Sequence, residues 1–273
     1  MRVLISVDME GIAGVVDRAD IAPGSPEWAL AREWMTDEAS AAVRGVLAFD
    51  QDAEVLVCDA HAKYRNILPQ RLDSRARLVR GTPRPQDMLT GIDSAVDAVC
   101  LIGYHGRAGT ADSVLAHTIS GAVISSVRID GTTLGEIGLS AALAAHYGAV
   151  PVLVSGDDTV AAEAEDVAPG IRAVVVKWAR GGHAAENLHP AVASERIEQA
   201  VPEALAGRAS VRPPRFAGPV DLEVDVRRPE MTERALLVPG MERRGPSTLG
   251  FSGLGLPESY GLVGVIADLA GIA

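Results

Sequence analysis

The feature that most limits what this chain can fold into is an alternation. Short β-branched runs, Val3–Val7, Glu54–Cys58, Ala95–Ile102 and Val150–Ser155, are separated by longer stretches with helical spacing, many of them Ala-rich. Ala95–Ile102 is apolar apart from Asp97, as expected of a strand buried on both faces. Ser25-Pro26 reads as an N-cap with proline in the first turn, opening a helix that carries Trp28, Met35, Ala39, Ala42, Val43 and Val46 to about Ala48. Ala76–Arg80 is a poorer third strand, and Pro85–Leu89 starts a short helix. Ala122–Ile129, the Asp130-Gly131 turn and Thr132–Gly135 predict a hairpin. Helices are expected over Glu136–Tyr147, Asp157–Val167, Pro190–Leu205 and Leu262–Leu269, with a strand at Ala173–Val176 and an alternating one at Val220–Val226. Strand–helix alternation of this kind predicts an α/β fold: a doubly wound, mostly parallel sheet with helices on both faces, plus a smaller C-terminal α+β domain. The texture changes after Gly181-Gly182, which divides the chain into residues 1–188, a main α/β domain, and 189–273, the smaller domain.

Composition narrows the function. The chain has 273 residues, 48% hydrophobic and 22% charged, an ordinary globular balance. Its net charge of −11 argues against a nucleic-acid partner, which needs a basic face. No apolar stretch approaches the ~20 residues of a membrane span, and the opening run is too short for a signal-peptide core. Both cysteines, Cys58 and Cys100, lie in apolar runs, as in proteins of reducing compartments. A soluble cytoplasmic protein with no membrane partner is expected.

The chemistry sits where the strands end. The first ends in Asp8-Met9-Glu10, the second in Asp59-Ala60-His61, and the fourth in Gly103-Tyr104-His105. In an open α/β sheet, ligands bind outside the carboxyl ends of the parallel strands. If these strands are neighbours, Asp8, Glu10, His61 and His105 converge. Asp8 and Glu10, two apart, share a face of extended chain. Two carboxylates and two imidazoles suit a borderline divalent metal such as zinc, manganese or cobalt. Asp59 is a candidate hydrogen-bond partner for the His61 ligand. Taken alone, Glu136 reads as a first-turn residue matched to the helix dipole. His117 is either an ordinary histidine or a general base or nucleophile. Asp157-Asp158 reads equally as a ligand pair or as a helix cap. His146, His183 and His189 read as structural.

With these residues assembled, the chain resembles the DppA-type D-aminopeptidases, the M55 type of zinc-dependent, self-compartmentalising peptidases. The resemblance rests on Ser6-Val7-Asp8-Met9-Glu10-Gly11, Met35-Thr36-Asp37-Glu38-Ala39, Asp59-Ala60-His61 with Asn66, Gly103-Tyr104-His105, His117, Gly135-Glu136-Ile137-Gly138-Leu139, Gly156-Asp157-Asp158 and Pro239-Gly240, in that order. It implies two zinc ions per subunit (manganese or cobalt being alternatives). Asp8 bridges them, Glu10 and His61 complete one site, and His105 and Glu136 complete the other. His117 matches the family's catalytic nucleophile or base. The implied activity is removal of an N-terminal residue, of D configuration, from short peptides or amino-acid amides. The implied assembly is a homo-oligomeric ring, for which the apolar stretch Leu249–Leu256 is either a contact surface or an ordinary strand. The chain departs from the family at Ala60, at Gly106 and between Trp178 and His189. Three other classes compete. A two-metal phosphoesterase would need an Asn-His pair that the chain lacks. A cofactor-free racemase would need facing thiols in polar flanks. A non-catalytic peptide-binding protein of the same fold would be expected to have lost a ligand, and all five positions are filled.

Overall fold

The computed structural model describes residues 1–272. In chain order its elements are β1 (Arg2–Val7), α1 (Arg18–Ile21), α2 (Pro26–Phe49), β2 (Glu54–Asp59), β3 (Arg77–Val79), β4 (Ala98–Ile102), β5 (Ile124–Ile129), β6 (Thr132–Thr133), α3 (Glu136–His146), β7 (Val150–Asp157), α4 (Asp158–Val167), β8 (Arg172–Ala179), β9 (Ala185–Asn187), α5 (Pro190–Ala206), β10 (Val220–Val226), α6 (Thr232–Ala235), β11 (Glu242–Gly245), β12 (Thr248–Leu254) and α7 (Leu256–Ala270).

These strands form two sheets. The first runs β3-β2-β1-β4-β7-β8-β9 and is parallel except for β9. Its order reverses at β1: β2 and β3 lie on one side, β4, β7 and β8 on the other. That reversal is the topological switch point at which open α/β sheets bind ligands. The register makes the strand ends level there, because Val7 pairs with both Asp59 and Ile102. The second sheet, β11-β12-β10-β5-β6, is wholly antiparallel. The expected mostly parallel sheet with helices, accompanied by a smaller sheet-bearing part, is therefore what the chain forms. Pairing links the two expected regions. The β5–β6 hairpin joins β10 and β12, while α5 lies along α2 beside the first sheet.

Alternation along the strands divides the core. Val3, Ile5 and Val7 point to one face, where they meet α2 and α5. Leu4 points to the other, where α3, α4, α7 and the second sheet share a continuous apolar cluster. Helix α2 begins as its sequence predicts: the Ser25 hydroxyl accepts the Trp28 N–H and Pro26 occupies the first turn. Two local expectations change, and one open reading falls to the strand. Pro85–Leu89 contracts to a 3₁₀ turn, Asp87–Leu89. The last helix starts at Leu256, ahead of the expected Leu262, because Pro257 needs no N–H partner in a first turn. Within Leu249–Leu256, residues through Leu254 belong to strand β12. Strands β9 and β11 were not expected from the sequence. Among the described residues, no helix is long and apolar enough to cross a membrane.

The connection leaving β1 is buried and must satisfy its backbone without water. Lys177 of β8, fully buried, donates from Nζ to the carbonyls of Glu10 (2.5 Å), Ile12 (3.0 Å) and Val15 (2.6 Å). Burial lowers its pKa to about 8. Glu38 of α2, also fully buried, accepts the Ala13 N–H at 2.9 Å. Burial raises its pKa to about 7, against the opposing pull of the Ala13 amide and Lys177. Gly11 donates to the Gly103 carbonyl at 2.7 Å, and a Cβ there would overlap the Tyr104 carbonyl oxygen.

Two predictions follow from this packing. Gly11→Ala forces backbone against backbone, so it should destabilise by about 3 kcal/mol or more in urea denaturation. Gly182→Ala, where a Cβ meets nothing within 4 Å, should cost well under 1 kcal/mol. Glu38 holds its proton in the fold up to about pH 7 but loses it near 4.5 when unfolded. Its contribution is thus complete below pH 4.5 and is lost as pH rises through 7. Glu38→Gln should remove about 3 kcal/mol of that pH dependence between pH 4.5 and 7, read as the difference between variant and parent stability curves.

Candidate metal centre

Six of the side chains singled out in the sequence meet at the level strand ends. Asp8 follows β1, and its N–H donates to the Ile102 carbonyl of β4 (2.8 Å). Glu10 lies two residues on, with its carboxylate on the same side. His61 follows β2, His105 follows β4, and Glu136 is the first residue of α3, delivered by the β5–β6 hairpin. His117 comes from the long connection between β4 and β5. His61 Nδ1 stands 2.9 Å from Glu10 Oε2 and 3.4 Å from Asp8 Oδ1. His105 Nε2 stands 3.3 Å from Asp8 Oδ2 and 3.2 Å from Glu136 Oε2. His117 Nε2 is 3.9 Å from Glu10 Oε1 and 3.7 Å from Glu136 Oε1, and its ring stacks on His105 at 4.1 Å between centroids. Asp8, Glu10 and His105 offer ligand atoms all within 4.8 Å of one another, and so do His105, His117 and Glu136.

The outward nitrogen of each imidazole faces a backbone carbonyl: His61 Nε2 faces Ile21 O (3.1 Å), His105 Nδ1 faces Gly106 O (3.0 Å), and His117 Nδ1 faces Leu115 O (2.9 Å). A carbonyl only accepts, so each outward nitrogen carries the proton. The inward nitrogens then turn toward three carboxylates that are almost fully buried. Lone pairs facing lone pairs need a cation between them, either a proton or a metal ion. Asp8 Oδ2 and His105 Nε2 have no hydrogen-bond partner although they are 3.3 Å apart. This mixed oxygen–nitrogen donor set, with second hydrogen bonds already orienting the rings, fits zinc.

With protons alone, the cluster is polarised. Burial works against ionised Glu10, but His61, with His117 and His105 farther off, outweighs it and holds Glu10 well below its ordinary pKa. Burial likewise opposes ionised Glu136, and His105 outweighs it. Asp8 moves the other way, raised by burial and by Glu10. Burial disfavours charged His61 and His105, yet their facing carboxylates raise both well above the ordinary value.

One reading of an individual residue changes, one open reading is settled and one residue is added. Asp59 does not hold the His61 ring; it accepts the Asn66 and Ile67 N–H groups and the Asn66 amide, which in turn donates to the His61 carbonyl at 2.7 Å. The ring is held by the Ile21 carbonyl, which no side-chain motif could announce. Asp157 is a cap, accepting Thr159 and Val160 N–H groups, and it also accepts from Ser113 and Val114 in the connection that carries His117. Lys177, absent from the sequence reading, had one visible signal: it is one of only two lysines, set within an apolar strand.

Two cavities meet at the cluster. The inner one, about 210 Å³, is lined by Asp8, Glu10, Glu136, Asp87, Met88 and Ile119 among others. The outer one, about 600 Å³, runs past Ile21, Leu115 and Arg18 to Arg227 and His183. Both share Glu10, His61, Ala62 and His117. His146 and His189 line neither. His189 caps α5 through its ring nitrogen.

Comparison with known proteins agrees with this geometry. A D-aminopeptidase of Bacillus subtilis strain 168 is 32% identical over 275 residues, covering 99% of this chain and 98% of its own length. The solved structure of a protein described as the zinc-dependent D-aminopeptidase DppA from Bacillus subtilis, a self-compartmentalizing protease, superposes with a TM-score of 0.95 at 30% identity, covering 100% of this chain and 99% of that one. Residues 1–264 match the M55 peptidase family, described as D-aminopeptidase. The chain belongs to the M55 family of D-aminopeptidases.

Proposed function

We propose that this protein is a cytoplasmic, zinc-dependent aminopeptidase that removes an N-terminal D-amino acid from short peptides, using two metal ions held by one chain. The observation that carries this reading is the set of imidazoles whose outward nitrogens are pinned to carbonyls while their inward nitrogens face buried carboxylates. Asp8, central to the cluster, would be the shared ligand, with Glu10 and His61 holding one ion and His105 and Glu136 the other.

Zinc held by these residues would lower the pKa of water to near ~7 and polarise a carbonyl oxygen. The chain's own residues do the rest. His117 is the most exposed of the three imidazoles, its side chain 18% accessible, and it stands where the two cavities join. Its Nδ1–H is held by Leu115, so Nε2 is free to take a proton from an attacking water and to return it to the leaving amine. The acidic inner cavity receives the N-terminal residue, and the outer cavity receives the remainder of the peptide. Burial of the cluster excludes bulk water. By likeness to the self-compartmentalizing relative, subunits assemble into a closed ring that admits short peptides and excludes folded proteins.

Elemental analysis of the purified protein should give about two zinc ions per chain, and Asp8→Ala should lose both. Retention of two equivalents in that variant would reject the shared ligand. His117→Ala should keep its metal and lose about 10²–10⁴-fold in kcat on D-aminoacyl dipeptides; a parallel fall in metal content would place His117 among the ligands. Light scattering should report an assembly, and a monomeric mass would end the compartment proposal.

A further inference from the structure

The two cavities differ in the charged side chains that line them. The inner cavity is lined by four carboxyl groups, those of Asp8, Glu10, Asp87 and Glu136. The outer cavity is lined by Arg18, Arg227 and His183, and Glu10, at the junction, is the only acid among its described lining residues. Such an acid-poor wall is notable in a chain with 36 acidic residues against 25 basic ones. The Nε of Arg227 donates to the Gly121 carbonyl at 2.7 Å, which anchors the guanidinium at the cavity wall and leaves its terminal nitrogens uncommitted. Neither Arg18 nor Arg227 has a carboxylate partner among the described residues, whereas His183 has one in Asp17 at 3.4 Å. Arginines without carboxylate partners lining one cavity suit a planar anion, because guanidinium groups bind carboxylate in a fixed fork geometry.

We infer that Arg18 and Arg227 form a subsite for the free C-terminal carboxylate of a short peptide, so that the enzyme selects di- and tripeptides over the corresponding amides. This deepens the aminopeptidase reading and rests on it. The residues shared by both cavities, Glu10, His61, Ala62 and His117, then lie at the bond to be cut. The substrate's ammonium end then lies toward the inner cavity and its carboxylate end toward the outer one. A volume of about 600 Å³ accommodates a leaving fragment of one or two residues.

The test uses the zinc-loaded full-length protein with D-alanylglycine, D-alanylglycinamide, and the uncleavable methylene-amine isosteres of both. Wild-type protein should favour the free acid over the amide by at least about tenfold in kcat/KM, mostly through KM, and by a similar factor in calorimetric Kd for the isosteres. Arg18→Glu combined with Arg227→Gln should collapse both ratios to near one. Arg227→Lys, which keeps the charge but not the fork, should lose part of the preference, and as a mild substitution it guards against a misfolded double variant. Equal binding of the acid and amide isosteres to wild-type protein, or an acid-to-amide ratio unchanged in the variants, overturns the subsite. If the isosteres discriminate but neither dipeptide is cleaved, the carboxylate subsite stands and the peptidase reading falls.

Discussion

Inward-facing imidazole lone pairs opposite buried carboxylates are the arrangement on which the rest of the structure depends. Asp8, Glu10 and Glu136 are almost wholly removed from water. Buried carboxylates without partners would be prohibitively costly. Apart from the Ile119 N–H, which donates to Glu136 at 2.6 Å, their nearby partners are three histidines whose protonated nitrogens are already turned away to the carbonyls of Ile21, Gly106 and Leu115. The cluster is therefore balanced only when cations lie inside it. Metal ions do this without depending on pH near neutrality, and they couple the site to folding, because a preformed cluster exists only in the native chain.

The scaffold around the cluster is built to keep those atoms in place. Parallel register levels the ends of β1, β2 and β4, so residues from distant parts of the sequence emerge side by side. The connection after β1 cannot relax into solvent: Lys177 ties three of its carbonyls, Glu38 takes one of its amides, and Gly11 lies against the Tyr104 backbone. Both charged clamps carry a cost of burial, visible in their displaced pKa values. The position of Glu10 is what that cost secures. Asp157 does the same for the other side, capping α4 while holding Ser113 and Val114 ahead of His117.

The second sheet has a more direct part in the site than its place at the end of the chain implies. Its hairpin, β5–β6, delivers Glu136 at the start of α3, and Arg227, the residue after β10, reaches the outer cavity. Chemistry at the switch point is thus assembled from the parallel sheet, while one wall of the surrounding space is supplied by the antiparallel one.

Much of this was legible from the chain alone. Strand–helix alternation determined the parallel sheet, because period and length of apolar runs reflect which faces are buried. The residues Asp8, Glu10, His61 and His105 stood out because strand ends are where a parallel sheet exposes its chemistry. Glu136 and His117 did not stand out by pattern; a first-turn Glu and a lone loop His look the same whether or not they serve a site, and it took resemblance to single them out. What only tertiary structure decided was anything made by backbone or by distant charge. Ile21 holds His61 through a carbonyl that every residue possesses. Lys177 meets the loop after β1 from more than 160 positions away. Arg18 and Arg227 become one wall only when α1 and the end of β10 are brought to the same cavity. Local sequence encodes periodicity and the chemistry of side chains. Which backbone groups and charges become neighbours is set by the packing of whole elements, and no local pattern carries it.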